Sequence, residues 1–161
     1  MRENDNNEKT ALILLGCPQV PVQTSMALYL AHALNQQGIR PVIAGTTAAR
    51  KLMEVADPGR YYISEMADLD DTIDAITEKE RDFDLCFVFI HNDSGIAYAG
   101  TMAYISTARL YAVLFGEHAD DLAGEIEFPC EIVAAKAVHN PMPLKRRLDE
   151  VMQQWAAVSK H

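Results

Sequence analysis

Five short runs of mostly apolar residues recur along the chain: Thr10–Gly16 (TALILLG), Arg40–Ala44, Phe83–Ile90 (FDLCFVFI), Leu110–Phe115 and Phe128–Ala135. Each is too brief for a buried helix and too continuous for a strand with one wet face. A strand that is apolar on both sides has to be covered on both sides, which is the condition of a parallel sheet between two helical layers. The intervening stretches supply those layers. Val22–Gln37 places Val22, Met26, Leu30 and Leu34 on one stripe, and Gly38 follows at the position where a helix-ending glycine belongs. Thr46 or Thr47 caps a second helix carrying Ala48, Leu52 and Val55, which stops at Asp57-Pro58. A Tyr-rich connection over Arg60–Ser64 leads to an acidic helix with Leu69, Ile73 and Ile76 on one face. His91-Asn92-Asp93-Ser94-Gly95 turns into a helix reaching about Thr107, on which Tyr98, Met102 and Ile105 share a face and Gly95 and Gly100 permit close packing. The acidic segment Glu117–Glu127 precedes the fifth run. Pro141–Ala157 closes the chain as a helix with Leu144, Leu148, Val151 and Trp155 at helical spacing. The expected architecture is α/β: a three-layer α/β/α sandwich with a mainly parallel sheet of about five strands. Residues 1–9 read as a disordered polar tail, and 10–158 as a single α/β domain. Strand order is not written in the pattern, and both common doubly wound orders remain open.

Charge narrows the partners. Fourteen Lys and Arg against 23 Asp and Glu give a net charge of −9. Neutralising phosphates needs a basic face, and none is visible, so no nucleic acid is expected as partner. An anionic membrane surface is disfavoured for the same reason, and no apolar run approaches bilayer length. The three cysteines, Cys17, Cys86 and Cys130, form no CxxC pair and leave an odd thiol, which fits a reducing compartment. The polar opening MRENDNNEK has no apolar signal-peptide core. The expectation is a cytoplasmic protein with a small-molecule ligand as partner, and with homo-oligomerisation left open.

In open α/β sheets ligands bind outside the carboxyl ends of the strands, so the residues that follow each run are the inventory that matters. They are Gly16-Cys17-Pro18, Gly45-Thr46-Thr47, His91-Asn92-Asp93, Gly116-Glu117-His118, and finally Lys136 with His139-Asn140-Pro141. Cys17 stands out. A thiol between a strand and a helix N-terminus feels the positive end of the helix dipole, which favours thiolate. A small buried side chain at a tight turn accounts for the same residue equally well. Cys86 and Cys130, inside apolar strands, read as core.

Several chemistries are disfavoured. The first strand–helix turn, Gly16-Cys17-Pro18-Gln19-Val20-Pro21, has neither GxGxxG nor a P-loop pattern, and its two prolines remove backbone donors a phosphate would need. Gly45-Thr46-Thr47 could hold an anion, but a plain Thr cap explains it. His91, Asp93, His118 and His139 could join Cys17 around a metal, yet no pair has ligand spacing, Asp93 reads as a helix cap, and no metal is expected. No Asp-x-His-x-x-Gly motif for cobalamin follows the first strand, and no Gly-x-Ser-x-Gly elbow occurs.

Taken in order, Gly16-Cys17-Pro18, Pro21-Val22-Gln23, Val55-Ala56-Asp57-Pro58, Asn92-Asp93 and His139-Asn140-Pro141 resemble a small archaeal family, chiefly of methanogens, catalogued as a domain of unknown function. The resemblance runs from about residue 10 to the last helix. It implies an α/β/α fold and a cytoplasmic, anaerobic, archaeal setting. It brings no catalytic residues and no cofactor, and His91 and His118 fall outside its motifs.

The residues name no reaction. They support a small-molecule- or cofactor-binding protein whose site draws on Cys17, Gln23, Thr46, Asn92, Asp93, His139 and Asn140, with Cys17 as the one catalytic candidate. Two alternatives stay open: a sulfur relay that uses Cys17 as acceptor nucleophile, and an accessory subunit that docks an exposed apolar helix face.

Overall fold

A computed structural model describes residues 8–159, with side chains of the last helix described up to residue 154. The polar tail assigned to 1–9 therefore lies almost wholly outside the described residues, as does the Trp155 side chain. The elements alternate without exception: β1 (Thr10–Leu15), α1 (Val22–Gln36), β2 (Arg40–Gly45), α2 (Thr47–Ala56), β3 (Glu65–Asp68), α3 (Leu69–Thr77), β4 (Leu85–Ile90), α4 (Asp93–Ile105), β5 (Arg109–Leu114), α5 (Ala119–Gly124), β6 (Glu131–Ala134) and α6 (Met142–Ser159).

All described strand pairs are parallel, in the order β3-β2-β1-β4-β5-β6. Period-two alternation divides the apolar strands cleanly between two cores. Ala11, Ile13 and Leu15 of β1, with Phe87 and Phe89 of β4, face the layer built from α1, α2 and α6. Leu12 and Leu14, with Cys86, Val88 and Ile90, face α3, α4 and α5. Phe87 and Tyr111 stack across β4 and β5 with ring centroids 4.7 Å apart. Aromatic packing of this kind adds to plain area burial at the centre of the sheet.

The expected sheet is present with one strand more than the runs announced. β3 lies at the edge, pairs only with β2, and is half-buried along its length. An edge strand need not be apolar on both faces, so its sequence, EMAD, carries no run to detect. Other boundaries move by a few residues: α4 ends at Ile105, and β6 begins at Glu131, after Pro129. The acidic segment after β5 contains the short helix α5. One helix face is corrected. α2 buries Ala49 and Met53, and not the stripe Ala48, Leu52 and Val55, which is exposed.

The helix ends fix the chain at both edges of the sheet: Gly38 at the amino edge, ahead of β2, and Gly95 at the carboxyl edge, after β4. Gly38 takes φ +74°, its N–H donates to Asn35 O, and the Ile39 N–H donates to Leu34 O, which completes a Schellman turn after α1. Gly95 at the start of α4 lies so close to β4 that a Cβ there would come within 2.9 Å of Ile90 Cα. That approach brings the α4 N-terminus down onto the sheet edge.

Candidate functional site

In this strand order the chain reverses direction between β1 and β4, because β2 and β3 lie to one side and β5 and β6 to the other. The loops that leave β1 and β4 therefore diverge, and a crevice opens between them at the carboxyl edge. It encloses about 250 Å³ and is lined by Gly16, Cys17 and Gln19 after β1, Thr46 after β2, and Phe89, His91, Asn92, Ser94, Gly95 and Tyr98 at the end of β4 and the start of α4. A larger groove of about 370 Å³ runs between α1 and α6 beside Tyr29, His32 and Asp149, but it is the more open of the two. It also borders the part of α6 whose side chains lie outside the described residues. The crevice at the chain reversal is the better-defined concavity.

Three helix N-termini converge on this edge, and each has partners within the chain. Asn92 is the cap of α4, accepting from the Gly95 N–H at 3.2 Å, and Asp93 adds a carboxylate in the first turn. The sequence pointed to Asp93 as the cap; Asn92 fills that position instead. Thr46 caps α2, accepting from the Ala49 N–H at 3.3 Å. At α1 the Val22 N–H donates to Val138 O and the Gln23 N–H to Val20 O, while Pro21 has none to offer. The strand order is that of dinucleotide-binding folds, but in the first loop, which cradles phosphate in those folds, Pro18 and Pro21 have no N–H and those of Gln19, Val22 and Gln23 bond within the chain.

The polar groups of the crevice are neutral. His91 lies 3.2 Å from Gln19 Oε1 through Nε2. A carbonyl oxygen can only accept, so this contact is a hydrogen bond in the tautomer that carries the proton on Nε2. Burial holds its pKa below the usual histidine value, and the ring rests against Phe115 at 5.5 Å. Among the described residues, no Lys, Arg, Asp or Glu lines the crevice. Behind its floor, Gln23 is 1% exposed, and its Nε2 donates to Gly16 O at 3.0 Å. Gln23 Oε1 is buried with no partner among the described residues. Such an acceptor costs roughly 1–3 kcal/mol, and native structures tolerate few of them.

Of the residues singled out from sequence, Cys17, Thr46 and Asn92 line the crevice, Gln23 holds its floor, and Asp93 stands exposed beside it. His139 and Asn140 do not line it. Both are exposed on the β6–α6 loop, where Asn140 Oδ1 accepts from the Met142 N–H. Among the described residues no three His, Cys, Asp or Glu gather as a metal site would require, and His118 pairs only loosely with Asp121. Gln19, Ser94 and Tyr98 were not foreseen. Tyr98 read as sharing a face with Met102 and Ile105, although its place within two turns of the Asn92 cap was a signal that it could reach the sheet edge.

With this geometry in place, the comparisons with known proteins are informative. The family described as a domain of unknown function, DUF1890, matches residues 12–151. A protein of Methanocaldococcus jannaschii, "Uncharacterized protein MJ0452", is 32% identical over 145 residues, covering 89% of this chain and 97% of that one. A solved structure, "Structure of MT0777", superposes with a TM-score of 0.83 at 38% identity, covering 90% of this chain and 97% of its own. The α/β fold and the archaeal kinship expected from sequence are thus both shown, and this chain belongs to the DUF1890 family.

Proposed function

We propose that the chain binds a small uncharged polar ligand in the crevice between the β1 and β4 loops. The observation that carries this reading is the chemistry of the lining. Hydrogen-bonding groups on Gln19, Thr46, His91, Ser94 and Tyr98 surround a concavity at the place where doubly wound sheets receive ligands, and none is formally charged. An anion would find no Lys or Arg in the described lining, would meet helix N-termini where Thr46 and Asn92 already take one N–H each, and would approach a chain of net charge −9. A cation would find no carboxylate in the lining. At about 250 Å³ the space suits a fragment-sized molecule better than a whole dinucleotide.

The test is a thermal-shift screen with a fragment library of matched pairs, each a neutral compound beside its carboxylate or phosphate counterpart. Stabilisation should come from the neutral members and vanish in Ser94→Trp, whose indole fills the crevice. Equal or stronger stabilisation by the anionic members would overturn the reading, as would hits unaffected by Ser94→Trp.

The sulfur-relay reading keeps one supporting observation: Cys17 is exposed at the rim of the same crevice. Its thiolate would attack the outer sulfur of a donor persulfide, release the donor thiolate, and leave a persulfide on Cys17. Incubation with a persulfide donor followed by peptide mass analysis checks this. Absence of the 17-position adduct would leave the binding reading standing alone.

A further inference from the structure

α2 turns an apolar face to solvent. The helix buries Ala49 and Met53, so Ala48, Leu52 and Val55, spaced i, i+4, i+7, stand on its outer side, with Leu52 44% and Val55 79% exposed. Just past the helix Tyr61 is 83% exposed, yet its position is fixed. Its N–H donates to Asp57 Oδ1 at 2.9 Å, and its ring lies over Gly59, where a Cβ would meet Tyr61 Cε2 at 2.5 Å. A pre-positioned, exposed aromatic loses little conformational freedom on contact, which is the character of an interface anchor. Lys51 and Glu54 are exposed on the flank of this stripe beyond Val55, away from Leu52, and neither forms an ion pair with a described residue.

We propose that this face of α2 is a two-fold interface between two copies of the chain. The charge pattern selects that occupant. A chain of net charge −9 repels its own copies over most of its surface, but this face carries one cation and one anion three residues apart. A two-fold interface is self-complementary: if residue i meets residue j, then j meets i. In an antiparallel pairing of α2 with itself, Lys51 meets Glu54 of the partner subunit, and Glu54 meets Lys51 of the partner subunit. Both ion pairs then lie along one flank of the seam, Leu52 meets Leu52 of the partner subunit along the other, and Val55 lies between the flanks. A wholly acidic or wholly basic partner would satisfy one of these charges and oppose the other.

Sedimentation velocity on the full chain should show a dimer. Val55→Glu should weaken association by at least about tenfold. Lys51→Glu and Glu54→Lys should each weaken it by setting like charges face to face, and the double swap Lys51→Glu/Glu54→Lys should restore it by recreating both pairs. These side chains are exposed, so melts followed by circular dichroism should show each variant folded. A monomeric parent chain would overturn the proposal, and so would a dimer indifferent to Val55→Glu or a swap that fails to restore association.

Discussion

Asp57 is the residue on which the segment after α2 depends. It is 4% exposed, and its carboxylate accepts from the N–H groups of Tyr61, Tyr62 and Ile63 at 2.9, 3.0 and 3.0 Å. Burial by itself would raise its pKa, but the three backbone donors, with nearby Arg60, outweigh that and hold it below the usual aspartate value. A carboxyl whose folded pKa is depressed contributes stability above its unfolded pKa of about 4 and loses it as pH falls through the lower folded value. Asp57→Ala, which leaves three backbone donors without their acceptor, should destabilise by about 2–4 kcal/mol in urea melts at neutral pH. The loss should shrink as the parent protein is taken into the acid range; a gap that stays constant down to pH values of about 2 would contradict the assignment. The cysteines make a second prediction at this scale. Cys17 is exposed, whereas burial raises the thiol pKa of both Cys86 and Cys130. Iodoacetamide read by peptide mass should label Cys17 first, Cys130 more slowly and Cys86 only on unfolding. Cys86 labelling as fast as Cys17 in the folded chain would contradict this.

Elements were legible where local pattern alone decides them. The four inner strands show as apolar runs because both faces are covered, and α1 shows its stripe, its stop and its Gly38 turn within one stretch of chain. β3 was hidden because an edge strand has no such requirement. α2 misled for a different reason. Periodicity reports that a stripe exists, but with Ala48, Leu52 and Val55 beside Ala49 and Met53 it does not say which of two neighbouring stripes the sheet takes. The join between α4 and β4 was foreseen in part. Gly95 is required by its contact with Ile90, whereas a Cβ on Gly100 would sit 3.4 Å from the Phe128 ring, at the close end of ordinary contact. Gly95→Ala should therefore destabilise by about 1–3 kcal/mol, and Gly100→Ala should cost less. Equal midpoints for the two variants in denaturant would show that α4 does not press on the sheet as described.

At the scale of the whole molecule, what escaped the sequence was everything set by distant pairing. Which strand neighbours which depends on contacts between segments far apart, so the chain reversal between β1 and β4 could not be read, although the loops leaving those strands could be named. For that reason Cys17, Thr46 and Asn92 were found on the crevice, while His139 and Asn140, following the far strand β6, stand away from its lining. The shared core is equally non-local. Val88 is fully buried in β4 between β1 and β5, so Val88→Asp should leave no cooperative unfolding transition, because a lone charge there has no partner. A soluble, cooperatively folding Val88→Asp protein would contradict the two-sided sheet. Ligand binding at the carboxyl edge of that sheet can be read residue by residue by amide chemical-shift mapping. The isotope-labelled chain is titrated with the best neutral fragment from the thermal-shift screen. The amides of Gly16, Cys17, Thr46, Asn92, Ser94, Gly95 and Tyr98 should shift together as one contiguous set. Shifts confined to Tyr29, His32 and Asp149 in the α1–α6 groove, or no saturable shifts at all, would contradict it.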